Sequence, residues 1–251
     1  MAKKVHSLLL SLCITLLILT NYFYFTNSVN ITNSIPRETA IIARVIDGDT
    51  IVLSDNRTLR FLNINAPEKS SILATFAYNF LKQYENKKIE FEITNKDIYN
   101  RSLAKIYSPS YLNLLLVKEG FASKFLVQKD ELKAFDSAER QAIEEEKGIW
   151  KKSPYFICMN VSLFPKWDLV YLKNLCSSIN LSGWLIKDES RKTLSLPPIV
   201  LGELVIHSSK GVSNSTDLFW NSSTSVWNDN RDTFYLFDDR NRIAAHYSYG
   251  Y

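Results

Sequence analysis

Residues 44–68 read RVIDGDTIVLSDNRTLRFLNINAPE and have the pattern of two β-strands joined by a turn. Apolar side chains recur along both halves of this stretch, as they do in strands with one buried face. The residues that carry the pattern are Ile51, Leu53, Leu59, Phe61 and Ile64. Asp55 and Asn56 supply the turn between the two halves.

Charged side chains stand where these strands begin and end. Asp47 and Asp49 close the segment before the first turn, Arg60 lies inside an apolar run, and Glu68 follows a proline. Taken one at a time, each fits an ordinary turn or a surface charge, because turns favour Asp, Asn, Gly and Pro. The combination favours a different interpretation, in which the strand ends face a ligand that needs charge.

Such a set of groups suits phosphodiester chemistry. Asp49 and the carbonyl groups at Asn65 or Ala66 are oxygen ligands of the kind that a hard cation takes. An arginine such as Arg60 donates two parallel hydrogen bonds to the oxygens of one phosphate. It also stabilises the charge that develops in the transition state. A carboxylate at Glu68 is able to orient or deprotonate an attacking water.

Five short motifs between residues 45 and 150 occur in the order found in one nuclease family. The segments are VIDGDT at 45–50, LRFLNINAPE at 59–68, DIYNRSLA at 97–104, NLLLVKEGFA at 113–122 and EKGIW at 146–150. Together they resemble the staphylococcal-nuclease-like (thermonuclease) family. The resemblance implies a Ca²⁺-dependent nuclease that hydrolyses DNA and RNA, with single or unwound strands preferred because the backbone must be accessible.

The resemblance also assigns a metal site. It implies that Asp49 binds Ca²⁺ together with the side chain of Asn65 and the carbonyl oxygen of Ala66, and that Asp47 lies close behind these ligands. Two positions depart from the family, which has an aspartate where this chain has Asn65 and a threonine where it has Ala66. An amide oxygen still binds Ca²⁺ but carries no formal charge, so we expect a lower metal affinity.

The resemblance assigns the chemistry to three further side chains. Glu68 would activate water for in-line attack on phosphorus, while Arg60 and Arg101 would bind the phosphate and stabilise the charge of the transition state. Arg101 belongs to a segment, residues 97–101, that by itself fits an ordinary polar turn. Given the first motif, a turn that brings a second arginine to the carboxylates is the preferred interpretation, with Tyr99 stacking on a base or shielding the site.

Composition excludes some classes of protein. The net charge of +4 is divided between residues 1–35, which carry +2, residues 36–152, which carry +2, and residues 153–251, which carry none. This distribution lacks the broad basic field of a tight duplex binder. The three histidines are scattered through the sequence, which disfavours zinc. Cys158 and Cys176 are either a disulfide pair or two buried thiols.

The beginning of the sequence predicts a membrane segment. Lys3 and Lys4 precede an apolar run from residue 5 to residue 25, and the next basic residue is Arg37. The run fits an uncleaved anchor, with the rest of the chain outside the cell, or a secretory signal that is removed. We prefer the anchor, because no small-residue cleavage site stands out. Residues 1–35 are therefore assigned to this segment and a polar tether.

Residues 36–152 predict a mainly β domain with appended helices. Strands are expected at 39–46, 50–54, 57–64, 88–94 and 102–107, and helices at 72–85, from about 113, and at 129–147. Five short strands with three helices fit an OB-fold barrel, which commonly binds single strands on its open face.

Residues 167–251 predict a second domain, joined through a linker at 153–166. Short apolar runs alternate with turns, as in a β-sandwich of the immunoglobulin-like type. The segments NLSGWLIKD at 180–188, VWND at 226–229 and DTFYLFD at 232–238 resemble the lamin-tail domain. This half shows no catalytic set, so we expect a binding or positioning module, with the cell envelope as one candidate partner.

Two rival functions stay open at this stage. In one, the barrel holds oligonucleotides without cutting them and the sandwich attaches it to a surface, which Asn65 favours. In the other, the sandwich recognises a protein or glycan of the envelope and the barrel is only a spacer. The preferred prediction is a monomeric, extracellular or surface-anchored nuclease.

Overall fold

The computed structural model describes residues 15–20, 36–69, 71, 73–97, 99–190 and 192–251. The chain forms two compact units, Met1–Pro36 and Arg37–Tyr251. In the first unit, residues 15–20 are helical. Among the described residues, no helix is both long enough and apolar enough to cross a membrane. Most of the predicted anchor lies outside the described residues.

A closed five-stranded barrel forms the first half of the second unit. Its strands and their short companions are β1 (Glu38–Asp47), β2 (Thr50–Leu53), β3 (Thr58–Phe61), β4 (Ile64–Asn65), β5 (Lys88–Lys96), β6 (Ser102–Ser108), β7 (Ser110–Tyr111) and β8 (Ser123–Lys124). The sheet runs β3-β2-β1-β5-β6-β7, and parallel pairing of β3 with β6 closes it. The predicted five-stranded barrel is therefore confirmed.

Three helices cover this barrel: α1 (Ala74–Lys82), α2 (Leu112–Lys118) and α3 (Leu132–Glu144). Each turns an apolar face to the barrel core, where Leu81, Leu116 and Phe135 are fully buried. Burying side chains of this size stabilises the fold by about 1.5–3 kcal/mol each. α1 and α3 are shorter than the predicted 72–85 and 129–147, whereas α2 begins one residue before its predicted start near 113.

One predicted strand is interrupted in the structure. The sequence suggested a continuous strand over 57–64, but β3 ends at Phe61 and β4 begins at Ile64. Asn63 between them has a φ of 67°, a left-handed conformation that cannot continue a strand. Its side chain donates to Glu131 at 2.6 Å and accepts from the backbone N–H of Gln128 at 3.0 Å, which stabilises this turn.

The second half is built from two four-stranded sheets. Its strands are β9 (Met159–Phe164), β10 (Leu169–Asn174), β11 (Ile179–Asn180), β12 (Leu185–Lys187), β13 (Thr193–Ser195), β14 (Val200–Leu201), β15 (Glu203–His207), β16 (Asp217–Phe219), β17 (Asp232–Phe237) and β18 (Ile243–Tyr249). The sheet orders are β16-β15-β10-β9 and β13-β12-β17-β18, and β11 pairs with β14 in a separate two-stranded sheet. Apolar side chains of both sheets share one core, which makes a β-sandwich.

The stretch interpreted as a linker belongs largely to this sandwich. Residues 153–166 include a short 3₁₀ turn at Phe156–Cys158 and the whole of β9, which pairs with β10 from Met159 to Phe164. The strand β9 was not recognised in the sequence, because its alternating run of side chains is short and lies between two prolines. Cys158 and Cys176 form a disulfide that joins the start of β9 to the segment after β10, which resolves the alternative left open by the sequence.

The barrel and the sandwich pack directly on each other. Trp150, which follows α3, stacks on Tyr235 and Phe237 of β17 with ring centroids 5.5 and 6.4 Å apart. The backbone of Lys152 pairs with Ile243 of β18. Arg37–Tyr251 is therefore one compact unit rather than two halves joined by a flexible segment.

Candidate active site

The tight turn between β1 and β2 places two carboxylates. Asp47 ends β1, and its Oδ1 accepts the backbone N–H of Asp49 at 3.1 Å. Asp49 is 5% exposed, and its Oδ1 accepts the hydroxyl of Thr50 at 3.1 Å. Gly48 between them makes the close packing possible, since a Cβ there would lie 2.6 Å from the Cβ atoms of Ala66 and Ala77.

Arg60 is a buried part of this site. It points from β3 into the end of the barrel, is 3% exposed, and its Nη1 donates to the carbonyl oxygens of Phe61 at 2.8 Å and Ile64 at 3.0 Å. Its Nη2 lies 3.1 Å from Asp49 Oδ2 and 3.4 Å from Asn65 Oδ1. A buried guanidinium requires such partners, because an unpaired charge in the interior is strongly unfavourable.

The short strand β4 brings the two remaining predicted metal ligands to Asp49. The backbone N–H of Ala66, directly after β4, donates to Asp49 Oδ2 at 3.0 Å. Asn65 is 3% exposed and its side chain contacts Arg60. Ser123 of β8 donates its hydroxyl to the carbonyl oxygen of Asn65 at 3.2 Å, which holds β4 against β8.

The turn between β5 and β6 carries the second arginine. Asp97 Oδ1 accepts the backbone N–H groups of Tyr99 and Arg101, both at 2.9 Å, and its Oδ2 accepts Arg101 Nε at 2.6 Å. Burial alone would raise the pKa of Asp97, but these hydrogen bonds outweigh it and lower the pKa below the usual value. Tyr99 is 74% exposed, and its ring centre lies 5.5 Å from the Arg101 guanidinium.

These elements enclose a cavity of about 440 Å³. It is lined by Asp47, Gly48, Asp49, Ala66, Pro67, Glu68, Lys69 and Arg101. Arg60 contacts this wall through Asp49, and Asn65 in turn contacts Arg60. Tyr99 lies beside Arg101 at the solvent. The structure thus gathers the catalytic and metal-binding candidates around one cavity.

Lys69 lines the cavity and was missed by the sequence interpretation. Its side chain is exposed to solvent, and it follows Glu68 directly in the chain. A lysine after a catalytic carboxylate is not diagnostic in sequence, because lysines are the commonest surface cations. Asp97, which fixes Arg101, lies at the start of the motif at 97–104, where an aspartate is also typical of an ordinary turn.

The donors at the cavity fit a hard divalent cation in chemical type. Asp47 and Asp49 supply carboxylate oxygens and Ala66 a carbonyl oxygen, which are ligands that Ca²⁺ accepts. Within the described part of the chain, no group of three or more His, Cys, Asp or Glu side chains is arranged to hold a metal ion. The amide oxygen of Asn65 is directed to Arg60. The assignment of Asn65 as a metal ligand stays a prediction.

Comparisons with known proteins relate the barrel half of the chain to nucleases. Residues 58–152 match the family described as staphylococcal nuclease homologue. An uncharacterized endonuclease of Escherichia coli O157:H7 is 28% identical over 115 residues, covering 43% of this chain and 74% of the relative. The thermonuclease of Staphylococcus intermedius is 28% identical over 130 residues, covering 46% and 77%. A thermonuclease of Staphylococcus hyicus is 29% identical over 128 residues, covering 45% and 76%.

The matched residues run from β3 to the segment after α3, so they include Arg60, Asn65, Glu68 and Arg101. Over these residues the barrel half of this chain is similar to the staphylococcal-nuclease-like family. The match does not extend into the sandwich, where the resemblance to a lamin-tail domain stays a prediction.

Proposed function

We propose that this chain is a metal-dependent nuclease that hydrolyses phosphodiester bonds in nucleic acid. The observation that carries the proposal is the single cavity that joins Asp47, Asp49, Glu68 and Arg101 in a domain of a nuclease family. Carboxylates beside an arginine suit a reaction in which a water is activated and negative charge grows on phosphate oxygens.

Arg101 binds the scissile phosphate. Asp97 holds this side chain through Nε and the backbone N–H, so the guanidinium is oriented before substrate arrives. Such preorganisation lowers the barrier because little rearrangement is needed when charge develops. Arg60 keeps Asp49 in place from the buried side through their 3.1 Å ion pair.

Glu68 is the general base. It lines the cavity with Arg101, so it takes the proton from a water that attacks phosphorus, while the bond from phosphorus to the leaving oxygen breaks. Asp47, Asp49 and the carbonyl oxygen of Ala66 would hold the divalent ion. When bound, such an ion supplies positive charge to phosphate oxygens.

The ion proposed is Ca²⁺, and the chain itself offers a test of this choice. Asn65→Asp restores a carboxylate that keeps its contact with Arg60 and adds negative charge beside Asp49. We expect this variant to bind Ca²⁺ several-fold more tightly in calorimetric titration, because each added carboxylate strengthens a calcium site. Unchanged affinity would argue against a metal site at Asn65.

The substrate proposed is single-stranded or unwound DNA and RNA. The test is to incubate the full chain with single-stranded DNA and RNA, with Ca²⁺ or with chelator. Glu68→Gln and Arg101→Ala should each lower kcat about 10²- to 10⁴-fold. Arg57→Ala, at a different turn of the same barrel, is the control and should cut normally. Cleavage that survives both site variants would exclude the proposed roles, and binding without cleavage would favour the oligonucleotide-holding alternative.

We infer that the protein acts outside the cytoplasm, held by its N-terminal segment. The disulfide between Cys158 and Cys176 supports this location, because disulfides persist in oxidising compartments. Digestion of intact cells with an added protease tests it. A surface protein should lose residues 37–251, whereas complete protection in intact cells would contradict the inference.

A further inference from the structure

The sandwich contacts the barrel at β8, and β8 pairs with β4, the strand that leads into the proposed active-site cavity. β4 pairs with β8 through Ile64 with Lys124 and Asn65 with Ser123. Because β4 leads directly into Ala66, whose N–H binds Asp49, the position of β8 bears on the position of the site. This two-residue ladder is short, so it needs support from other contacts.

Lys124 of β8 is the centre of that support. Its side chain is fully buried, and its Nζ donates to Glu139 Oε2 at 2.7 Å and to Asp136 Oδ1 at 3.3 Å, both on α3. From the sandwich, Ser248 Oγ lies 3.0 Å from the same Nζ. The ring of Tyr251 covers the ammonium group with its centre 4.4 Å away. The barrel half therefore supplies the carboxylates around Lys124 Nζ, and the sandwich supplies the other groups of the shell that surrounds this ammonium group.

The sandwich also binds the partners of Lys124. Tyr235 of β17 donates its hydroxyl to both oxygens of Glu139, at 3.1 and 3.2 Å. Two residues beyond Lys124, the backbone N–H of Leu126 donates to Glu189 Oε1 of the sandwich at 2.8 Å. The hydroxyl of Tyr251 donates to Glu189 as well. β8 is thus fixed by sandwich residues at two points.

We propose that the sandwich is a positioning element for the catalytic strand, and that Ser248 and Tyr251 are the positioning residues. They close the shell around Lys124, which fixes β8, and β8 fixes β4 with Asn65 and Ala66. A buried ammonium that loses part of its shell must find other partners or move toward solvent. The catalytic consequence rests on the proposed nuclease function, whereas the mechanical coupling does not.

The test uses Ser248→Ala combined with Tyr251→Leu in the full chain, which removes the hydroxyl and the ring but keeps apolar bulk. Hydrogen exchange followed by mass spectrometry reports on the backbone N–H groups of Ala66, Lys124 and Phe125, which bond to Asp49, Glu139 and Asn63. We expect exchange there to be at least about tenfold faster, while β1 and β5 stay protected. Ser248→Ala alone should give a smaller effect in the same segments.

Tyr247→Ala is the matched control, because Tyr247 directly precedes Ser248 on β18 but is 40% exposed. It should leave exchange at β4 and β8 unchanged. In nuclease assays the double variant should lower kcat about five- to tenfold with KM within about twofold, since the reacting groups and not the binding surface are displaced.

Protection of Ala66 and Phe125 that stays within twofold of the unsubstituted chain would overturn the proposal. A uniform rise of exchange through barrel and sandwich would do the same, since it would indicate global loss of stability. If the unsubstituted chain cuts no nucleic acid with any divalent ion, the proposed function fails, and the exchange data alone decide the positioning role.

Discussion

At the scale of single residues, Arg60 and Arg101 place the same type of side chain in two different environments at this site. Arg60 is 3% exposed and its guanidinium is bonded to two carbonyl oxygens and to Asp49. Arg101 has a side chain that is 32% exposed and is held mainly by Asp97. Arg60 is therefore suited to shaping the site, and Arg101 to meeting the substrate phosphate.

Asp97→Ala should lower kcat/KM about tenfold or more. The substitution removes the acceptor of two backbone N–H groups and of Arg101 Nε, so the guanidinium loses its fixed orientation while its charge is kept. Steady-state cleavage of a single-stranded oligonucleotide measures the effect.

The matched control is Asp55→Ala, which removes the same kind of contact from Arg57 at another turn of the barrel. Asp55 accepts Arg57 Nε at 2.9 Å and the backbone N–H of Arg57 at 3.1 Å. Equal losses of activity in the two variants would show that the Asp97 effect is structural and not specific to Arg101.

Lys69→Met should weaken substrate binding with little change in kcat. An exposed ammonium at the cavity wall suits a phosphate next to the scissile one, and its loss should raise KM several-fold. The dependence of binding on salt should also become shallower, because one counterion fewer is released. Lys210→Met, on the exposed surface of the sandwich, should change neither quantity. A fall in kcat with unchanged KM would place Lys69 in the chemistry instead.

Much of this site could be predicted from sequence, and the reasons are local. Asp47, Asp49 and Glu68 flank strand ends, where chain order and chain geometry agree, whereas Arg101 was assigned through the family resemblance, because its turn alone fits an ordinary polar turn. The deep burial of Arg60 could not be predicted, because its carbonyl acceptors become available only when the left-handed Asn63 bends the chain after β3. Lys69 gave no signal beyond that of an ordinary surface lysine.

At the scale of elements, α1 packs so closely against the turn between β1 and β2 that Gly48 has no room for a side chain. A Cβ at Gly48 would come within 2.6 Å of the Cβ atoms of Ala66 and Ala77. Real Cβ atoms do not approach so closely, so any side chain at Gly48 must push α1 or β4 away. The helix thereby limits the position of both carboxylates beside Gly48.

Gly48→Ala should therefore lower both the free energy of unfolding and kcat. Adding Ala77→Gly to this variant should partly restore both quantities. The second change removes one of the two clashing methyl groups, at a cost of up to about 1 kcal/mol for glycine inside a helix. Thermal unfolding and single-turnover cleavage measure the two effects. Gly202→Ala is the control, since a Cβ there meets nothing within 4 Å. Failure of Ala77→Gly to restore either quantity would contradict this account of the packing.

Elements were predicted well where their pattern is local. The alternation in β1, β2, β5 and β6 and the helical spacing in α1 and α3 come from neighbouring residues. The pairing of β4 with β8 was not predicted, because two residues carry no periodicity and their partners lie 58 or more positions apart. The strand β9 was not predicted either. It lies at the edge of its sheet and several of its side chains are not buried, so its apolar pattern is weak.

At the scale of the whole molecule, acidic groups are buried in both halves and respond to pH in opposite directions. Burial alone would raise the pKa of Glu139, but the charge and hydrogen bond of Lys124, together with the ring of His246 at 3.6 Å, outweigh it and lower the pKa to about 2. For Asp188, which is fully buried, burial dominates over the bond from Ser190 and raises the pKa to about 6. The two groups therefore give opposite contributions to stability.

Glu139 stabilises the fold above its unfolded pKa of 4.5, and this stabilisation is lost as the pH falls toward 2. A difference of this size corresponds to roughly 3 kcal/mol. In Glu139→Gln the decline of the free energy of unfolding between pH 4.5 and 2 should be shallower. At pH 7 this variant should be less stable than the unsubstituted chain, because Lys124 loses its nearest counter-charge.

Asp188 has the opposite sign, because its folded pKa lies above its unfolded value of 3.8. The protonated form is favoured in the folded state, so its contribution is present below pH 3.8 and is lost as the pH rises to about 6. Asp188→Asn should remove that decline, and urea unfolding from pH 2 to 7 compares the two variants directly. Parallel stability curves for Glu139→Gln, Asp188→Asn and the unsubstituted chain would show that neither carboxyl changes its proton affinity on folding. If the Glu139→Gln curve is instead shallower in acid, the charge of Glu139 stabilises the junction that holds β8, because its carboxylate accepts Lys124 Nζ there.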